Sequence, residues 1–121
     1  MLIDTHCHLN FKAFKGKVDQ VIKLALKAGV EKIVVPGADL ESSQKAVSLA
    51  QKYDQVYAAI GVHPHHAREI KDIEKIRQKL KHLGGSALGR VVAMGECGLD
   101  YYHYQQTKYQ DYKIDEEFKK N

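Results

Sequence analysis

Apolar residues along the chain alternate between two rhythms. Short β-branched runs of strand length are followed by longer stretches in which apolar positions recur every three or four residues, as on one face of a helix. The first unit pairs a strand over Leu2 to Thr5 with a helix over Lys17 to Ala28, where Val18, Val21, Ile22, Ala25 and Ala28 share a stripe and Gly29 is the stop. In the second, the strand Lys32 to Pro36 precedes a helix that Asp39 can cap and that runs to about Tyr53, turning Ala46, Val47 and Ala50 to the core. The third opens with Gln55 to Ile60 and a loop over Gly61 to Ala67. Its helix has Ile70, Ile73, Ile76, Leu80 and Leu83 on one side and ends at Gly84 and Gly85. The fourth strand, Arg90 to Gly95, leads into a tyrosine-rich loop and a polar segment, Tyr109 to Asn121, that can start a helix.

Alternating strands and helices predict an α/β fold with a parallel sheet. Strand centres recur about every 30 residues, the spacing of a barrel that fits eight units into roughly 250 residues. About four TIM-barrel-like parallel βα repeats, half of a (β/α)8 barrel, are therefore expected in one domain over residues 1–121. The 44% hydrophobic and 28% charged content is that of a soluble globular chain. No run approaches the roughly 18 apolar residues of a membrane span, and the N-terminus lacks the features of a secretory signal, so a cytoplasmic protein is expected. Cys7 and Cys97 form no CxxC pair, which argues against a zinc ribbon or a disulfide scaffold and for two reduced thiols. A net charge of +4 suits a polyanionic partner, but the lysines are spread over helix faces and support nucleic-acid binding only weakly.

Two segments carry candidate chemistry. In Asp4-Thr-His6-Cys-His8, at the C-terminal end of the first strand where barrel active sites are built, residues two apart on extended backbone point the same way. His6 and His8 can thus offer imidazoles to one ion while Cys7 faces elsewhere. Two histidines satisfied by hydrogen bonds at a strand end would look the same, and the short pattern alone does not decide. At the end of the fourth strand, Gly95-Glu96-Cys-Gly98 sets a carboxylate on the same rim, flanked by glycines that allow close backbone approach. Such a carboxylate can bridge two cations about 3.5–4 Å apart, although a lone glutamate after a strand is usually a cap or an ion-pair partner.

Together, Asp4-Thr-His-Cys-His-Leu9, Gly61-Val-His-Pro-His65 and Gly95-Glu-Cys-Gly-Leu-Asp-Tyr-Tyr102 resemble the three N-terminal signatures of the TatD family of metal-dependent deoxyribonucleases, over nearly the whole chain. The resemblance implies a (β/α)8 barrel that hydrolyses DNA phosphodiesters, often from the 3′ end, with two divalent ions such as Mg, Mn or Zn. By it, His6 and His8 are metal ligands, Glu96 bridges the ions as a catalytic residue, and His63 lines the pocket near the substrate phosphate. Asp100 can orient a ligand or cap its loop. Tyr101, Tyr102 and Tyr104 can stack on a base or pack over the rim. His65 and His66 are expected in an exposed loop, and His82 and His103 as surface or structural residues.

Full-length members carry two further histidines and an aspartate on strands five, six and eight, beyond residue 121. Four strands also leave two sheet edges open. A homodimer closing the half-barrel answers both points, with the partner's His6 and the partner's His8 at strand position five and the partner's Glu96 at position eight. Alternative readings are a catalytically inactive fragment that self-associates, and a metal-dependent barrel hydrolase of another small ester or amide.

Overall fold

The computed structural model describes residues 1–87 and 89–101. The segment Tyr109 to Asn121, and with it Tyr102, His103 and Tyr104, lies outside the described residues. The elements are β1 (Leu2–Asp4), α1 (Val18–Lys27), β2 (Val30–Pro36), α2 (Leu40–Lys52), β3 (Val56–Ile60), α3 (Pro64–Ala67), α4 (Ile73–Ser86) and β4 (Val91–Met94), with a 3-10 turn over Lys12–Phe14 before α1. The strands pair in sequence order, all parallel, so the α/β fold with four parallel strands alternating with helices stands as expected, the helix of the fourth unit lying outside the described residues.

One face of the sheet is covered by helices. Ile33 and Val35 of β2 and Val56, Ala58 and Ile60 of β3 pack with Ile22 of α1 and Ala46, Val47 and Ala50 of α2 in one buried cluster. Alanines at 46, 50 and 58 let α2 settle closely on β3, the most extensive contact between elements in the fold. The start of α2 follows from its sequence. Asp39 accepts from the Ser42 amide at 2.6 Å, and the Ser42 hydroxyl accepts in turn from the Asp39 amide at 2.9 Å, a reciprocal cap that satisfies two donors at the helix end. At the end of α1, Gly29 takes the turn at φ +87° that a side chain would resist.

Four expectations change. Gly84 and Gly85 do not stop the fourth helix, which continues to Ser86. Leu80 and Leu83 seat it on the core, and that packing outweighs the roughly 1 kcal/mol that a glycine costs in a helix interior. Its apolar stripe is narrower than the spacing suggests, because Ile70 precedes the helix and Ile73 is 74% exposed, while Asp72 caps the first turn through the Lys75 amide. Ala28 lies just past α1 and is exposed rather than on its buried stripe. The loop after β3 contains the short helix α3, started by Pro64 at a position where a missing N–H costs nothing.

Candidate metal centre

The rim at the C-terminal strand ends is built from the backbone outward. After β1, the Asp4 carboxylate accepts from the His6 amide at 3.0 Å and turns the chain. The Cys7 amide then bonds to the Val34 carbonyl at 3.0 Å, prolonging the pairing with β2 beyond the strand itself. Cys7 packs against the core, where burial and then the Asp4 carboxylate raise its pKa, so its thiol is poorly suited to act as a thiolate. Leu9 is anchored at 2% exposure. His6 and His8, on either side of Cys7, bring their Nε2 atoms to 3.1 Å of each other.

Glu96 reaches the same point from the other side of the sheet. Its amide donates to the Gly37 carbonyl and the Gly95 amide to the Ile60 carbonyl, both at 2.9 Å, which ties the end of β4 to the tips of β2 and β3. One carboxylate oxygen of Glu96 stands 3.3 Å from His6 Nε2 and the other 3.8 Å from His8 Nε2. At strand spacings near 4.8 Å, a flat sheet would hold β1 and β4 roughly 14 Å apart. These side chains meet because the chain after β4 crosses towards β2, where the Glu96 amide bonds to Gly37, and the long imidazole and carboxylate side chains span what remains.

Ligand atoms of His6, His8 and Glu96 all lie within 4.8 Å of one another. Nitrogens bound about 2.0–2.1 Å from a zinc-sized ion at tetrahedral angles stand roughly 3.3 Å apart, close to the separation of the two Nε2 atoms. The donor set of two imidazoles and a carboxylate therefore fits a divalent cation. Burial lowers the pKa of His8; the Glu96 carboxylate opposes the drop and His6 adds to it. The net effect keeps His8 neutral at pH 7 with a lone pair available. Its ring stacks on Phe11 at 4.2 Å between centroids, which fixes its plane.

His63 caps α3, its Nδ1 accepting from the His65 amide at 3.2 Å, and its own amide is held by the Ala38 carbonyl at 2.8 Å. It lines a cleft of about 410 Å³ together with His6, Glu96 and Asp100, over a floor that includes Val34, Pro36 and Ala59. His63 thus shares the cleft but stands apart from the three-residue cluster. His65 and His66 are half-buried in α3, not exposed in a loop: the His65 ring lies against His63, and His66 shares a hollow with Asn10, Phe11 and Asp39. Burial lowers the pKa of His65, the neighbouring His63 lowers it further, and Asp100 pulls the other way. Cys97 and Tyr101 are exposed, so Tyr101 does not pack over the rim, while His82 lies on the surface as expected.

Asn10 was not singled out by its sequence context. Its Nδ2 donates to the Pro36 carbonyl at 2.9 Å and to the Ser42 carbonyl at 3.1 Å, stitching the loop that follows β1 to β2 and α2. Its place two residues after His8 is the only sequence signal; its partners are 26 and 32 residues away.

The family model described as TatD related DNase matches residues 3–120. The uncharacterized metal-dependent hydrolase YjjV of Escherichia coli (strain K12) is 37% identical over 120 residues, which are 97% of this chain and 45% of that protein. The uncharacterized metal-dependent hydrolase YabD of Bacillus subtilis (strain 168) is 39% identical over 110 residues, 89% of this chain and 41% of the relative. The 3'-5' ssDNA/RNA exonuclease TatD of Cronobacter sakazakii is 37% identical over 100 residues, covering 83% and 36%. The crystal structure of Escherichia coli YjjV, a TatD homolog, superposes with a TM-score of 0.72 at 38% identity over 84% of this chain and 38% of that one. The chain spans less than half the length of these relatives.

Proposed function

The chain belongs to the TatD-related DNase family, and from that premise we propose that its strand tips supply part of a metal-dependent phosphodiesterase centre acting on DNA. The supporting observation is the convergence of His6, His8 and Glu96 within 4.8 Å. In this reading His6, His8 and Glu96 would hold two divalent ions, magnesium, manganese or zinc, with Glu96 as the residue shared between them. The chemistry such ions would supply when bound is Lewis-acid polarisation of a phosphoryl oxygen and a lowered pKa for a bound water. His63, on the wall of the same cleft, donates a hydrogen bond to the substrate phosphate. Val34, Pro36 and Ala59 line the same cleft beside His6, His63 and Glu96. Relatives named as 3'-5' exonucleases of single-stranded DNA and RNA make a free 3′ end of a single strand the first substrate to try.

A second copy of the chain is the proposed partner. The outer strands expose Leu2, Ile3, Val92 and Met94, and each has an open edge among the described residues, the combination that invites strand pairing. Two half-barrels closing edge to edge would add a second set of rim ligands. A cytoplasmic setting belongs to the same proposal, supported by the unpaired thiols of Cys7 and Cys97. Among the described residues, no helix is long and apolar enough to cross a membrane.

The test is release of nucleotides from 3′-labelled single-stranded DNA by the purified chain, with and without manganese, beside Glu96→Gln. Metal-stimulated release lost in the variant supports the reading. Manganese that binds without any cleavage would favour an inactive metal-binding half, and cleavage of a simple ester or amide but not DNA would move the substrate class.

A further inference from the structure

Ser43 is a fully buried polar side chain outside the ligand cluster, and its surroundings link three strand tips. Its Oγ accepts from the Gly61 amide at 3.2 Å and donates to the Gly61 carbonyl at 3.3 Å, so the first turn of α2 clasps the residue that follows β3. On its other side, Gly61 presses against the end of β4. A Cβ at position 61 would lie 2.7 Å from the Gly95 carbonyl carbon and 2.8 Å from the carbonyl oxygens of Gly95 and Glu96. These are backbone atoms of the segment that carries Glu96, not the yielding end of a long side chain. Ordinary carbon contacts are about 3.5–4.0 Å, so a methyl group would force a shift of roughly 1 Å. The Glu96 amide bond to Gly37 closes the ring of contacts on β2.

We propose that Gly61, clasped by Ser43, is a positioning residue for Glu96: the bare α-carbon lets the end of β4 close over β3, which brings the carboxylate to His6 and His8. This rests on the metal-binding reading of that cluster. A functional group must be held within about 0.5 Å of its productive position, so a shift of the size a methyl group demands removes Glu96 as a ligand without touching it chemically.

The experiment measures manganese affinity of the full chain as wild type, Gly61→Ala, Glu96→Gln and the double variant. The expected result is a loss of about tenfold or more in Gly61→Ala and a double variant no weaker than Glu96→Gln alone, because a displaced carboxylate has nothing further to lose. Losses that multiply in the double variant overturn the proposal, as does wild-type affinity in Gly61→Ala. A metal-free measurement runs beside it. Hydrogen exchange at the Glu96 amide should speed up in Gly61→Ala while the Ala58 amide, bonded to Arg90 within the sheet, keeps its protection. Unchanged protection at Glu96 overturns the proposal whatever the metal does. A wild-type chain that binds no manganese refutes the metal reading instead, and the exchange result alone then decides the positioning claim. If Gly61→Ala does not fold, Ser43→Ala opens the clasp with Gly61 intact, and the same cycle applies: a non-additive loss supports the proposal and an additive one overturns it.

Discussion

Between β2, β3 and α2 the chain buries nearly all it has, with Val35, Val56, Ala46, Ala50 and Ala58 at zero exposure. The outer strands do the reverse: Leu2 and Ile3 of β1 and Val92 and Met94 of β4 are each more than half exposed. Yet the ligand-type side chains come from the outer strands, His6 and His8 from beyond β1 and Glu96 from beyond β4. The difference teaches a division of labour. A dry, close-packed centre supplies stability and a rigid floor, while the tips of the thinly covered strands stay open to solvent and can meet a ligand over that floor.

The sharpest way to break this division is to damage the centre. Replacing Ile33, 2% exposed, by alanine is expected to cost about 2–5 kcal/mol through lost burial and the cavity left behind. Denaturant titration should show that loss, while manganese affinity of the molecules still folded stays within twofold. If affinity collapsed in proportion, centre and rim would not be separable. At the rim, Glu96→Gln should lower manganese affinity by at least tenfold, about 1.4 kcal/mol, and leave the denaturation midpoint nearly unchanged. A large drop in stability instead would mark Glu96 as a structural residue.

Acid probes the rim without mutation. Burial first, and then His63, hold the pKa of His65 below the ordinary 6.5, with Asp100 opposing. The folded chain therefore binds fewer protons than the unfolded one; the contribution of His65 is fully present above pH 6.5 and declines as pH falls through the folded value. Stability measured between pH 7.5 and pH 5 should fall in the wild type and fall less in His65→Gln; identical slopes would count against this assignment. The smallest effect is expected at β4, where Met94→Lys should change monomer stability by no more than about 0.5 kcal/mol. Its informative readout is sedimentation. A dimer in the wild type that dissociates in the variant supports edge-to-edge closure, and a monomer in both rules it out.

Much of the fold was legible because its signals are local. The Val-rich run of β2, the Asp39 cap and the alanine stripe of α2 lie within a few residues of one another and repeat with the period of the element they form. Where local signals misled, tertiary contact had overruled them: two glycines continue α4 because Leu80 and Leu83 are held on the core, and Ile73 stays exposed because no element packs on it among the described residues. The rim shows both cases. The HxH spacing and the glycine-flanked Glu96 were visible as residue types, but the half-buried state of His65 and His66 was not, since it depends on contacts with residues such as Asn10 and Asp39 that lie far back along the chain.

The sequence by itself determined which ligand-type residues are candidates and the alternation of strands and helices that sets them at strand ends, because spacing along one backbone fixes direction and period. Only the tertiary structure decided that His6, His8 and Glu96 meet, that Asn10 anchors the loop of the two histidines, and that Ser43 bonds to Gly61 where Gly61 abuts the end of β4. Those relations join residues that are remote along the chain, and the backbone bonds that tie the segments after β1 and β4 to β2 and β3, which no short stretch of sequence encodes, set the distances between them.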